Sequence, residues 1–143
     1  MEVLLGLSLT FVFSVLAAIH FYWAAGGQSG WYAVVPDVEG EPAAVPSRFA
    51  TLTIALVLAT TAAVVAASAG LVRVPVPEHM LRSLAFGLAF VVAMRGVGDF
   101  DSFGIFKTTR DTYFAEMDSL VYSPLCLVLA IGAVVMSLPR PGF

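Results

Sequence analysis

Charge is what this sequence has least of. Only 12% of its 143 residues are charged and 59% are hydrophobic, against roughly a quarter charged in ordinary soluble domains. A fold that had to face water on all sides would not wear such a surface. There is no run of Lys or Arg and the net charge is −3, so the basic footprint that a nucleic-acid binder needs is missing. Cys126 is the only cysteine. That excludes an internal disulfide, a CxxC redox pair and a cysteine-rich metal centre, and leaves Cys126 as a small apolar filler. Neither a P-loop nor a dinucleotide-binding glycine fingerprint occurs, because the glycines of Arg95-Gly96-Val97-Gly98-Asp99 do not follow a strand.

What the sequence has instead is long uncharged stretches. Residues 3–25 are strongly apolar and carry no Asp, Glu, Lys or Arg, and at 1.5 Å per residue they reach about 35 Å, more than the roughly 30 Å of bilayer hydrocarbon. A cleaved signal peptide wants a basic start and an apolar core of roughly 7–15 residues, whereas Glu2 precedes a longer run, so this segment is expected to persist as the first span. Residues 49–72 form a second uncharged stretch rich in Ala, Val and Thr, and residues 119–138 a third, closed by Pro139, Arg140, Pro141 and Gly142. Small and β-branched residues let membrane helices approach closely, and a Pro-rich end does not continue a helix.

The remaining span, residues 80–98, does not read as simply. Between Arg82 and Arg95 the uncharged residues 83–94 cover only about 18 Å as a helix, so one arginine has to lie at membrane depth. Arg82 follows the turn-like Pro75, Pro77, Glu78 and His79 and can snorkel to water. Arg95 is therefore the expected buried charge. Asp99 stands four residues on, a spacing that puts two side chains on one helical face. Arg95 is expected to meet Asp99 or Asp118. The fold class that follows is an all-α integral membrane protein, one transmembrane domain over residues 1–143, built as a bundle of four transmembrane helices with docked irregular extracytoplasmic loops.

An even number of spans puts both termini on one side of the membrane. Basic residues flanking the spans are balanced, with Arg73, Arg82 and Arg140 on the terminal side and Arg48, Lys107 and Arg110 on the other, so the positive-inside rule alone does not orient the chain. The arginines concentrated around the short second loop, set against two longer acidic loops, favour cytoplasmic termini in a plasma membrane. In the first of those longer loops Trp31 and Tyr32 are interfacial anchors. In the second, Thr108 and Asp111 resemble a capping box, which would start the fourth helix near Arg110, with Pro124 bending it.

One polar constellation stands out. His20 and Trp23 lie near the loop end of the first span, Arg95 and Asp99 close the third, and Asp118, Tyr122 and Ser123 open the fourth beside Pro124. All of these fall on the same side of the membrane. A charge at bilayer depth costs about 2.5–3.5 kcal/mol on lenient insertion scales, so the charged members should be paired. A Ser123–His20–Asp99 triad does not follow: Ser123 precedes a proline and lacks the G-x-S-x-G elbow. His20 and His79 fall on opposite membrane faces, which excludes a shared histidine metal site. No catalytic residue, metal ligand or cofactor is assigned. His20, Trp23, Arg95, Asp99, Asp118 and Tyr122 form the candidate cluster, either ligand-binding or structural.

Four segments of this constellation, Ile19-His20-Phe21-Tyr22-Trp23-Ala24-Ala25-Gly26-Gly27, Arg95-Gly96-Val97-Gly98-Asp99-Phe100, Gly104-Ile105-Phe106-Lys107 and Met117-Asp118-Ser119-Leu120-Val121-Tyr122-Ser123-Pro124-Leu125-Cys126, resemble a prokaryotic membrane family designated domain of unknown function 3995. The likeness spans nearly the whole chain. Its pattern of His and Trp before paired glycines, Arg with Gly-Asp-Phe, and Asp followed by Tyr-Ser-Pro falls here on His20, Trp23, Arg95, Asp99, Asp118, Tyr122 and Pro124. Ala25 stands where Leu is common, with no chemical consequence. The resemblance implies a four-helix membrane protein and the same cluster, and implies no activity.

Three functional readings stay open. The first is a pocket at the outer ends of helices one, three and four that holds an amphipathic small molecule or lipid headgroup, with Arg95 on an anion and Trp23 and Tyr122 as walls. The second is a structural or accessory membrane subunit whose Arg/Asp cluster only fixes helices, with homo-oligomerisation open through its Gly- and Ala-rich faces. The third is a membrane enzyme using His20 or an aspartate for proton transfer on a lipid-like substrate. Besides the bilayer, the expected partner is the lipid or amphipathic molecule of the first reading.

Overall fold

The computed structural model describes residues 2–35, 37–38, 41–42 and 45–138. Pro139, Arg140, Pro141 and Gly142 lie outside them. Four long helices dominate: α1 (Glu2–Ala24), α3 (Arg48–Ser68), α4 (Glu78–Val97) and a composite fourth helix over Tyr113–Ser137. Each is long and apolar enough to cross a membrane, and the protein is an all-helical membrane bundle of four such helices. The composite helix consists of α5 (Tyr113–Met117), a π-helical turn (Asp118–Tyr122) and α6 (Ser123–Ser137). Between α1 and α3 lie a single helical turn, α2 (Trp31–Val34), and a two-residue antiparallel ladder pairing Asp37 with Pro42 and Val38 with Glu41.

The helices pack as two close pairs, α1 on α3 and α4 on α6, with α3 also against α4. Small residues set the approach. A Cβ on Gly6 would run into Ala69, one on Gly132 would sit 2.9 Å from Leu9, and one on Gly96 would sit 2.8 Å from Leu127. Lipid tails are as apolar as the helices, so membrane association rests on such close contacts rather than on escape from water. Leu9, Phe13, Ala62, Val65, Val92, Leu129, Ala130 and Met136 form the core, while Leu4, Phe11, Phe86, Phe90, Val128 and Ile131 are exposed to the surroundings, as lipid-facing side chains are.

Helix ends follow local chemistry. Ser47 caps α3 by accepting from the Ala50 N–H at 3.1 Å, and the chain leaves α3 at Ser68, with Gly70 at φ 73°. Arg82 pairs with Glu78 one helical turn away at 2.6 Å, keeping its charge at the first turn of α4. The start expected near Arg110 is corrected: the helix begins at Tyr113, because Thr112, not Thr108, accepts the Ala115 N–H, at 3.1 Å. Thr108 instead donates to Asp101 Oδ1 at 3.2 Å within the preceding loop. The expected irregularity at Pro124 lies just before it, in the π turn, where the Ser123 N–H reaches back to the Asp118 carbonyl.

Candidate functional site: a buried carboxylate between two cations

The pairing of Arg95 with Asp99 on one helical face does not form. The helix stops at Val97, Gly98 turns out at φ 94°, and its N–H closes on the Met94 carbonyl, so Asp99 leaves the helix axis before the next turn exists. Its Oδ1 accepts the backbone N–H groups of Asp101, Ser102 and Phe103 at 3.0, 2.8 and 3.1 Å. Desolvation is the largest single influence and disfavours the Asp99 carboxylate, but the backbone N–H donors together outweigh it and hold its pKa below the ordinary value. Asp99 is thus the organiser of a tight loop. Gly98 and Gly104, both at φ 94°, cross at van der Waals distance, and a Cβ on either would strike the other strand's backbone. The Ile105 N–H then bonds the Gly96 carbonyl at 3.0 Å, which turns the loop back over the end of α4.

This loop delivers two groups to Asp118. The carboxylate of Asp118 is fully buried. Oδ1 accepts from Arg95 Nη2 at 2.9 Å, and Oδ2 accepts from the Gly104 N–H at 2.7 Å, Lys107 Nζ at 3.0 Å and Ser123 Oγ at 3.0 Å. The π turn rotates Asp118 inward while leaving Ser123 one widened turn further on, so that both meet; π turns recur where a helix must present such a group. Lys107, 3% exposed, spends all three ammonium hydrogens, on Asp118, on Ser119 Oγ at 2.7 Å and on the Gly104 carbonyl at 3.2 Å.

Arg95 is different. Its side chain keeps 36% of its surface exposed, and one guanidinium face lies over the Phe103 ring, 4.7 Å from the centroid. Of its five N–H donors one is spent among the described residues, on Asp118. Nη1 is buried and has no hydrogen-bond partner among the described residues. Two cations share one carboxylate, so the cluster carries one positive charge in excess.

His20 and Trp23 are not part of this cluster. His20 Nδ1 lies 2.8 Å from the Leu16 carbonyl, its ring meets Trp23 edge-on at 5.1 Å, and Trp23 Nε1 donates to the Ser29 carbonyl at 2.9 Å. They form an aromatic group that pins the loop end of α1. The short α2 bridges the two groups: Trp31 packs edge-on against Trp23 at 5.8 Å, Tyr32 stacks on Tyr113 at 6.4 Å, and the Tyr122 hydroxyl donates to the Ala33 carbonyl at 3.0 Å. Tyr122 therefore holds the first loop down, and its ring lies 6.3 Å from that of Phe114. Among the described residues no group of His, Cys, Asp and Glu is arranged to hold a metal ion.

Reading the sequence alone missed Lys107, which it placed in a connecting loop. The available signal was its position in Gly104-Ile105-Phe106-Lys107, a lone cation closing an apolar run. Gly104, a backbone donor, carries no side-chain signal at all. No curated protein and no solved structure matches the chain. The sequence model described as protein of unknown function (DUF3995) matches residues 13–133, and the chain belongs to that family.

Proposed function

We propose that this protein binds the anionic headgroup of a lipid or other amphipathic molecule at Arg95, on the loop-side ends of α4 and the composite helix. The observation that carries the reading is the donor balance of Arg95: among the described residues its guanidinium bonds only Asp118, its side chain keeps 36% of its surface exposed, and the cluster is left one positive charge in excess. A bound anion gives the exposed edge of such a guanidinium charge-assisted hydrogen bonds, stronger than those between neutral groups. On this reading the roles divide. Asp118, Lys107, Gly104 and Ser123 are the rigid base that aims the guanidinium, and Arg95 is the group that meets the ligand. Trp23 and Tyr122 hold the first loop beside it rather than walling the ligand.

A structural role alone is favoured by one observation, the complete saturation of Lys107 and Asp118, and it accounts for that half of the cluster but not for Arg95. The test is melting of the purified protein in neutral detergent with added phosphatidylglycerol or phosphatidylcholine. The proposal expects phosphatidylglycerol to raise the melting temperature of the wild type and not of Arg95→Gln, with phosphatidylcholine raising neither. Equal protection of both proteins by phosphatidylglycerol would leave the structural reading.

The same reading places the site in the outer leaflet of the plasma membrane, with both termini in the cytoplasm. In a Cys126→Ala background, a membrane-impermeant thiol reagent applied to intact cells should label a cysteine at Ser29 and not one at Val76. The reverse pattern would invert the orientation.

A further inference from the structure

Resting on the anion-binding reading, we infer that the site selects a monoanionic group, a phosphodiester or a carboxylate, over a dianionic phosphate monoester. The inference comes from the charge and donor balance around Asp118. Arg95 and Lys107 contribute two positive charges and Asp118 one negative charge, all in one hydrogen-bonded unit. Lys107 has no hydrogen left to give, since its three bonds go to Asp118, Ser119 and the Gly104 carbonyl. The Gly104 N–H and the Ser123 hydroxyl are likewise spent on Asp118. Every donor still available in the cluster belongs to Arg95, and the Phe103 ring covers one face of that guanidinium, which confines a ligand oxygen to its edge.

One negative charge on the ligand brings the cluster to neutrality. A second would find no unspent cation and no unspent donor outside that one guanidinium, in a site next to lipid where an uncompensated charge is poorly screened. Asp99 adds no help, being a carboxylate already committed to the loop backbone. Selection therefore comes from Lys107 being saturated: it fixes the carboxylate and leaves a single charge to be answered.

The experiment compares two lipids and one soluble anion on the purified full-length protein, by native mass spectrometry or fluorescence titration in neutral detergent. Phosphatidylglycerol is a monoanion at both pH 5.5 and pH 8.5, whereas phosphatidic acid passes from about one negative charge toward two over that interval, as phosphate monoesters do with a second pKa near 6. A change in the protein's own charge over that interval acts on both lipids alike and cancels in the ratio. We expect phosphatidic acid to lose roughly tenfold in affinity from pH 5.5 to 8.5 relative to phosphatidylglycerol, the effect of about one uncompensated pKa unit of interaction.

Dimethyl phosphate, a phosphodiester without tails, tells a soluble ligand from a lipid. Binding comparable to that of phosphatidylglycerol identifies a soluble monoanion, and much weaker binding identifies a lipid; both support selection of a monoanion. Phosphatidic acid binding unchanged or tighter at pH 8.5 relative to phosphatidylglycerol, while still lost in Arg95→Gln, would overturn the charge selection and leave the anion site standing. If Arg95→Gln binds all three probes as the wild type does, the site itself is wrong and the inference falls with it. Arg95→Lys, which keeps the charge and loses the fork, checks that a loss in Arg95→Gln is not misfolding: it should retain the phosphatidic acid to phosphatidylglycerol ratio with weaker binding overall.

Discussion

Asp118→Asn is the substitution that strains this structure most for the least change in shape. The wild-type carboxylate is fully buried and accepts four donors between 2.7 and 3.0 Å, two of them from cations. An amide at the same position keeps one acceptor oxygen and puts an NH2 group where three donors now converge or where Arg95 points. Lys107 retains Ser119 and the Gly104 carbonyl but loses its counter-charge while remaining 3% exposed. Removing one partner of a buried ion pair costs about 3–5 kcal/mol, and the partly exposed Arg95 escapes more cheaply by turning to water. The expected loss is therefore about 3–5 kcal/mol for Asp118→Asn, and less for Lys107→Met, which leaves Asp118 with Arg95, Gly104 and Ser123. The double variant Lys107→Met/Asp118→Asn should cost less than the sum of the two. Unfolding by SDS titration in a neutral detergent at pH 7 measures all three. If Asp118→Asn lies within about 1 kcal/mol of the wild type, the buried-charge argument is refuted.

Three further outcomes follow from the loop and the helix contacts. Gly98→Ala should reduce folded yield sharply and destabilise by several kcal/mol, since the residue sits at φ 94° and its Cβ would strike the Phe103 carbonyl; near-normal unfolding in the same titration would contradict the backbone crossing. Gly96→Ala should cost about 1–3 kcal/mol by pressing on Leu127 and the Ser123 carbonyl, whereas Gly87→Ala, which meets nothing within 4 Å, should be neutral or gain up to about 1 kcal/mol from helix propensity; the two melting curves side by side decide it. The folded-state pKa of Asp99 lies below its unfolded value of 3.8, so its stabilising share is present above that value and is lost as pH falls through the lower folded pKa. Asp99→Ala should therefore melt lower than wild type at pH 7, and the gap should narrow below about pH 3.8; a gap independent of pH would remove the carboxylate from that role.

How much of this was legible in the residues alone depends on how local the cause is. The four spans were legible because hydrocarbon thickness demands long uncharged runs, and Arg95 was legible as a charge in need of a partner because residues 83–94 are too short to cross without it; the burial expected of it falls instead on Lys107 and Asp118, while the Arg95 side chain stays 36% exposed. Its partner was not decided by spacing: Asp99 sits at the right interval, but Gly98 ends the helix one residue earlier, and the carboxylate turns to the loop backbone. Asp118 was the remaining candidate, and the π turn that aims it has no sequence signature beyond the nearby Pro124. Lys107 escaped notice because burial of a loop lysine depends on the Gly98–Gly104 crossing, a contact between two backbones. His20 and Trp23 were expected at the same membrane level as Arg95, yet sharing a level does not fix which helices are neighbours, and α1 packs chiefly on α3 rather than on α4.

Whether Arg95 meets an anionic ligand is read by mass spectrometry of the lipids and small molecules that co-purify with the wild-type protein and with Arg95→Gln at matched folding and yield. A monoanionic species should be retained at near-stoichiometric level by the wild type and be absent from Arg95→Gln. The same species held equally by both proteins would contradict ligand binding at Arg95, and the excess charge of the cluster would then belong to its architecture alone.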